Sequence, residues 1–123
     1  MIKAFVFLSM IFAHIVDDYY LQGWLASAKQ KKYWEENYPE MYKRDYIVAL
    51  IMHSMSWAFM IMLPIAIFFQ FQIPLKFIII WIVNATIHGF VDNLKANLFK
   101  INLIQDQSIH MMQIIITFFL LMN

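Results

Sequence analysis

Four stretches of the chain are each long and apolar enough to cross a bilayer as a helix, and this limits the folds open to it. They run from about Ile2 to Ala26, Tyr46 to Phe69, Pro74 to Leu98 and Leu103 to Met122, where a spanning helix takes about 20 residues. In hydrocarbon every backbone N–H and C=O must find a partner within the protein, which leaves helices or a closed barrel. Apolar runs of this length are helices. The expected fold is therefore all-α: a polytopic membrane protein, one domain over residues 1–123, forming an up-down bundle of four transmembrane helices. Composition agrees, because hydrophobic residues make up 63% and charged residues 14% of the chain, against about 25% charged in soluble domains.

Charge sets the expected orientation. Lys29, Lys31, Lys32, Lys43 and Arg44 lie in the loop of about residues 27–45; Lys95 and Lys100 lie at the same end, and only Lys3 and Lys76 at the other. Positive charge marks the cytoplasmic side, so the loop is expected in the cytoplasm and both termini outside it, in a bacterial inner membrane. All six tyrosines fall between Tyr19 and Tyr46, with Trp24 and Trp34 among them, as in an aromatic belt at that interface. Glu35, Glu36, Glu40 and Asp45 share the loop, which reads as a solvated connector along the membrane surface. Lys3 ahead of an apolar run raises a secretory signal peptide, but no small-residue cleavage site follows. Pro64 is expected to kink or end the second helix.

Net charge is +1, so nucleic acid is not an expected partner; membrane lipids are, and a homo-oligomer is compatible with so small a bundle. Cysteine is absent. That excludes disulfides, thiolate metal sites and thiol nucleophiles, and any metal bound here must sit on nitrogen and oxygen.

The scarce ionisable residues carry the functional information. Outside the first loop the acids are Asp17, Asp18, Asp92 and Asp106, and the histidines are His14, His53, His88 and His110; all eight fall in the apolar segments. Each helix carries one histidine. Three pair it with an aspartate four residues away: His14/Asp18, His88/Asp92 and Asp106/His110. Four residues is about one turn, so each pair shares a helix face. In an up-down bundle the motifs also share a depth, late in helices one and three and early in two and four. An aspartate at a helix centre costs about 2.5–3.5 kcal/mol to insert, so three cost on the order of 8–10 kcal/mol. Mutual His–Asp pairing offsets part of that, and metal ligation offsets more.

The expected ligands are thus His14, Asp18, His53, His88, Asp92, Asp106 and His110, around one or two divalent ions. Imidazole and carboxylate suit zinc, with manganese or iron as alternatives. Seven donors exceed one four-coordinate shell, so two ions bind or some aspartates orient a histidine from behind. Asp17, Gln22, Asn84 and Gln107 are expected in that supporting role. Gln113 reads as an interhelical hydrogen-bonder, and Gly89 beside His88 would allow close helix approach. The ten methionines are scattered through apolar faces and read as packing.

The run His14-Ile-Val-Asp-Asp18-Tyr-Tyr-Leu-Gln22 resembles the H-x-x-x-D-F-x-L-Q opening of a family of small bacterial and phage membrane proteins catalogued as domain of unknown function 3307. His53, the run from His88 to Lys95, and Asp106-Gln107-Ser-Ile-His110 are similar to its later motifs, in order, over nearly the whole chain. Tyr19 stands where the family usually has Phe, and the doubled aspartate and long first loop also depart from it. The resemblance implies a compact helical membrane domain with a polar, metal-binding centre and supplies no reaction. A looser similarity is to membrane-bound metal-dependent hydrolases.

Three functions are expected from these residues. The first is a metal-dependent hydrolase acting on a lipid or phosphoester at the cytoplasmic face. There Asp18 and Asp106 would be general-base candidates and Lys95 would stabilise negative charge. The second is a structural or inhibitory membrane protein, of phage type, with a structural metal. The third is a transporter or sensor of divalent metal or protons.

Overall fold

In the computed structural model, which describes residues 1–38, 40 and 42–123, the chain is all-helical, with no strand among the described residues. Helix α1 (Ile2–Ile15) runs directly into a π-helical turn, Val16–Leu21. Two short helices follow, α2 (Leu25–Ala28) and α3 (Lys31–Asn37), and then three long ones: α4 (Asp45–Phe68), α5 (Leu75–Ala96) and α6 (Leu103–Met122).

Three helical segments are long and apolar enough to cross a membrane: Ile2–Leu21, Asp45–Phe68 and Leu75–Ala96. α6 has the length, but it carries Gln105, Asp106, Gln107, Ser108, His110 and Gln113, which lower its mean hydropathy. Three of these residues, Asp106, His110 and Gln113, are buried in the protein interior.

The four long helices pack against one another. Lys3 donates to the carbonyl of Met122 and Lys76 to that of Leu120, so the starts of α1 and α5 meet the end of α6. Both ammonium groups lie where the last carbonyls of a helix lack partners and its dipole is negative. Toward this end the core is apolar, with Val6, Met10, Ile61, Met62, Ile65, Ile114 and Leu121 buried. Toward the other end the core is polar. Outward-facing residues are largely apolar, Phe5, Leu8, Phe12, Phe59, Phe90 and Phe119 among them. A polar interior behind an apolar exterior is the pattern that intramembrane ionisable groups impose.

Several local features differ from the sequence expectation. The first segment stops at Leu21 rather than near Ala26, because the chain turns at Gly23 with φ +48°, a left-handed conformation that costs a residue without Cβ little. Pro64 does not end α4, which continues to Phe68. The first loop is more than a solvated connector. Its α2 and α3 pack on α4, and Trp34 is buried beside Ala28 and Ala49. The Trp34 indole donates to the Ala28 carbonyl at 2.6 Å, and its ring lies 5.3–5.9 Å from those of Tyr33, Trp24, Tyr42 and Tyr38. Asn97 at the end of α5 ties this strap down, accepting from the Lys31 amide at 2.7 Å and donating to the Lys29 carbonyl at 3.0 Å.

Candidate metal centre

The π turn is where the centre begins. Its wider hydrogen-bonding pattern, a form found often at functional sites, leaves the consecutive residues Asp17 and Asp18 both buried. α4 contributes His53, α5 contributes His88 and Asp92, and α6 contributes Asp106 and His110, all buried. Close approach of α4 and α5 brings His53 and His88 together. A Cβ added at Gly89 would stand 3.2 Å from Ser54 Oγ, so a larger residue there would push the helices apart.

Six side chains converge. His53 Nε2 lies 3.1 Å from His88 Nε2, 3.4 Å from Asp18 Oδ1 and 3.4 Å from Asp92 Oδ2. His110 Nε2 lies 3.3 Å from Asp106 Oδ1 and 3.7 Å from Asp92 Oδ1. Three sets offer ligand atoms within 4.8 Å of one another: Asp18, His53 and His88; His88, Asp92 and His110; Asp18, Asp106 and His110. These buried His and Asp groups can hold a metal ion.

The fit is specific at the level of atoms. Asp92 Oδ1, Asp106 Oδ1 and His110 Nε2 are all buried without a hydrogen-bond partner, and they face one another. A buried unpaired carboxylate oxygen is costly. Ligands at about 2.0–2.2 Å from zinc stand about 3–3.6 Å apart in ordinary coordination shells, close to the spacings found. The lone pair of His110 is also assigned. Gln113 donates through Nε2 to the Asn84 carbonyl at 3.1 Å, so its Oε1 accepts the proton of a neutral His110 ring at Nδ1, 3.2 Å away, a nitrogen that also stands 3.2 Å from His88 Nδ1. That leaves Nε2 bare and directed at the two aspartates.

His14 is placed differently from the other three histidines. Trp57 Nε1, which can only donate, lies 2.8 Å from His14 Nδ1, so the proton of the neutral ring is on Nε2, 3.0 Å from Gln107 Oε1. His14 belongs to none of the three ligand sets and, with Trp57 and Gln107 on its two nitrogens, stands behind the ligands rather than among them. Gln107 passes the arrangement on. Its Nε2 donates to Asp18 Oδ2 at 2.9 Å and to Asp106 Oδ2 at 3.0 Å, leaving the Oδ1 atom of each free for the centre.

The remaining expected residues divide. Asn84 is buried and supports Gln113 while donating to Thr117 at 2.7 Å. Gln22 donates to the backbone carbonyl of Asp18, not to its carboxylate. Asp17 is buried, accepting from Ser56 at 2.7 Å, outside the three ligand sets. Lys95 reaches Asp106 Oδ2 at 2.5 Å with 27% of its side chain exposed, the most open member of the centre.

Two residues escape a reading of the sequence. Lys29, assigned there to the loop, is buried with its ammonium 2.5 Å from Asp92 Oδ2; its position in the sequence gives no sign of this. Trp57 stacks on His88 with ring centroids 4.1 Å apart and planes at 14°. It lies one helical turn after His53, a signal that periodicity does carry. A concavity of about 560 Å³ lies elsewhere: a groove between α4 and α5 lined by Tyr46, Leu50, Ser54, Trp81, Ala85 and Gly89 among others, with no ligand residue in its wall.

Compared with family models, curated proteins and solved structures, the chain matches none.

Proposed function

We propose that the protein is an integral membrane metal-binding protein that acts as a metal-dependent hydrolase on a lipid or phosphoester at the cytoplasmic face. In this reading α6 joins the three apolar helices as a fourth span of an up-down bundle in a bacterial inner membrane, with both termini outside the cytoplasm. The observation that carries it is the mutual convergence of Asp92 Oδ1, Asp106 Oδ1 and His110 Nε2, buried and unpaired. A divalent cation, zinc by the donor types, would be held by Asp18, His53, His88, Asp92, Asp106 and His110. Bound there, it would supply Lewis acidity and a lowered pKa for water.

The chain's own residues then have separate tasks. Trp57, His14 and Gln107 fix the carboxylates of Asp18 and Asp106, and Gln113 fixes the tautomer of His110. Whichever of Asp106 and Asp18 does not ligate the ion is the general-base candidate, and Lys95, partly exposed beside Asp106, offers positive charge where an anionic leaving group develops. The apolar groove beside Gly89 and Ser54 would suit an acyl chain.

Purification in detergent without added metal or chelator, followed by metal analysis by mass spectrometry, tests the reading. Bound zinc, manganese or iron that is lost in His88→Ala is the expected result. A folded wild type that carries and takes up no metal would end it. With metal in hand, lipid and phosphoester substrates are screened; wild-type turnover in both Asp18→Ala and Asp106→Ala would remove their assignment as bases.

A structural metal is the second reading, and one observation favours it: every ligand side chain is almost wholly buried. A saturated shell in an X-ray absorption spectrum would support this second reading, and an open position the first.

A further inference from the structure

We infer that the centre holds two cations side by side, with Asp92 as the carboxylate that bridges them; this rests on the metal-binding reading above. Two groups of ligand atoms each take one oxygen of Asp92. His53 Nε2, His88 Nε2 and Asp92 Oδ2 lie 3.1–3.9 Å from one another, and His110 Nε2 lies 3.3 Å from Asp106 Oδ1 and 3.7 Å from Asp92 Oδ1.

Asp92 lies between the two halves and presents one oxygen to each. Its Oδ2 is 3.4 Å from His53 Nε2, and its Oδ1 is 3.7 Å from His110 Nε2. One position is thus formed by His53, His88, Asp18 and Asp92 Oδ2. The other is formed by His110, Asp106 and Asp92 Oδ1, the three atoms that are buried and unpaired. Helical bundles build two-ion centres from inward carboxylates and histidines in this manner. The second lone pair of Asp92 Oδ2 remains for Lys29.

Charge then specifies what the centre takes. Asp18, Asp92 and Asp106 face Lys29 and Lys95, so two divalent cations leave the site with excess positive charge. An anionic substrate such as a phosphoester offsets it, and a neutral ester does not.

The test loads the detergent-purified full chain with Mn²⁺ alone and reads stoichiometry and the electron paramagnetic resonance spectrum. Two ions per chain with an exchange-coupled spectrum are expected, falling to one ion with an isolated six-line spectrum in both His53→Ala and His110→Ala. Inorganic phosphate should perturb the coupled spectrum. The wild-type spectrum needs no variant to fold. One uncoupled ion per chain would overturn the pair while leaving the metal reading intact, and two uncoupled ions would overturn the Asp92 bridge. No ion at all would remove both readings, and a spectrum indifferent to phosphate would remove the anionic substrate.

Discussion

Gln107 shows how much of the centre depends on a residue that touches no metal. Its amide accepts from His14 and donates to both Asp18 and Asp106, so a leucine there strands the His14 N–H and one oxygen of Asp18, while Asp106 Oδ2 keeps Lys95. Each unsatisfied buried group costs about 1–3 kcal/mol, and loss of such support lowers metal affinity about 10–100-fold. Gln107→Leu is therefore expected to bind metal at least tenfold more weakly in a competition titration, with its stoichiometry unchanged. An unchanged affinity would mean that Asp18 and Asp106 hold their orientation without it. His14 belongs to the same argument. The one-turn spacing to Asp18 suggests a shared ligand role, yet the structure gives both of its nitrogens to Trp57 and Gln107. Periodicity reports which face a side chain occupies and says nothing of which neighbours claim its polar atoms.

Pairs of elements set the spacing of the ligands. At the α4–α5 contact, Gly89 lets Ser54 approach to a distance that a Cβ would crowd. Gly89→Leu should cost about 1–3 kcal/mol as overpacking and should weaken metal binding further by separating His53 from His88; thermal melts with and without Mn²⁺ distinguish the two effects. Overpacking alone shifts both melts equally, and a lost ligand pair removes the metal-dependent increment. The strap of α2 and α3 is the other such element. It carries Lys29 to Asp92 and is held at its base by Asn97. Asn97→Ala should cost about 1–2 kcal/mol for the two bonds and should speed tryptic cleavage at Lys31 and Lys32. Cleavage at the wild-type rate would show that the aromatic cluster around Trp34 suffices to hold the strap.

The molecule is apolar without and, at the end that holds the His and Asp cluster, polar within, which in a bilayer is the ordinary arrangement of an intramembrane site. Its proposed orientation is open to a direct test because the chain has no cysteine. Lys32→Cys should react with a membrane-impermeant maleimide only after cells are opened, and Asn123→Cys should react in intact cells. The reverse pattern would invert the topology and move the Lys95 side of the centre to the outer face.

The sequence alone determined the helical class, the apolar exterior and the presence of His and Asp on helix faces, because the 3.6-residue period and hydropathy are local properties that each segment carries by itself. It also put Asp18, His53, His88, Asp92, Asp106 and His110 among the candidates. Tertiary structure decided which of the candidates meet, that His14 and Asp17 stand apart from the ligand sets, and that Lys29 leaves its loop to neutralise Asp92. Those outcomes depend on distances of a few ångströms between segments far apart in the chain: Lys29 and Asp92 are 63 positions apart, and His14 and Gln107 are 93. No local pattern encodes such a distance; it is set by how closely the helices pack and by which polar atoms remain unpaired once they do.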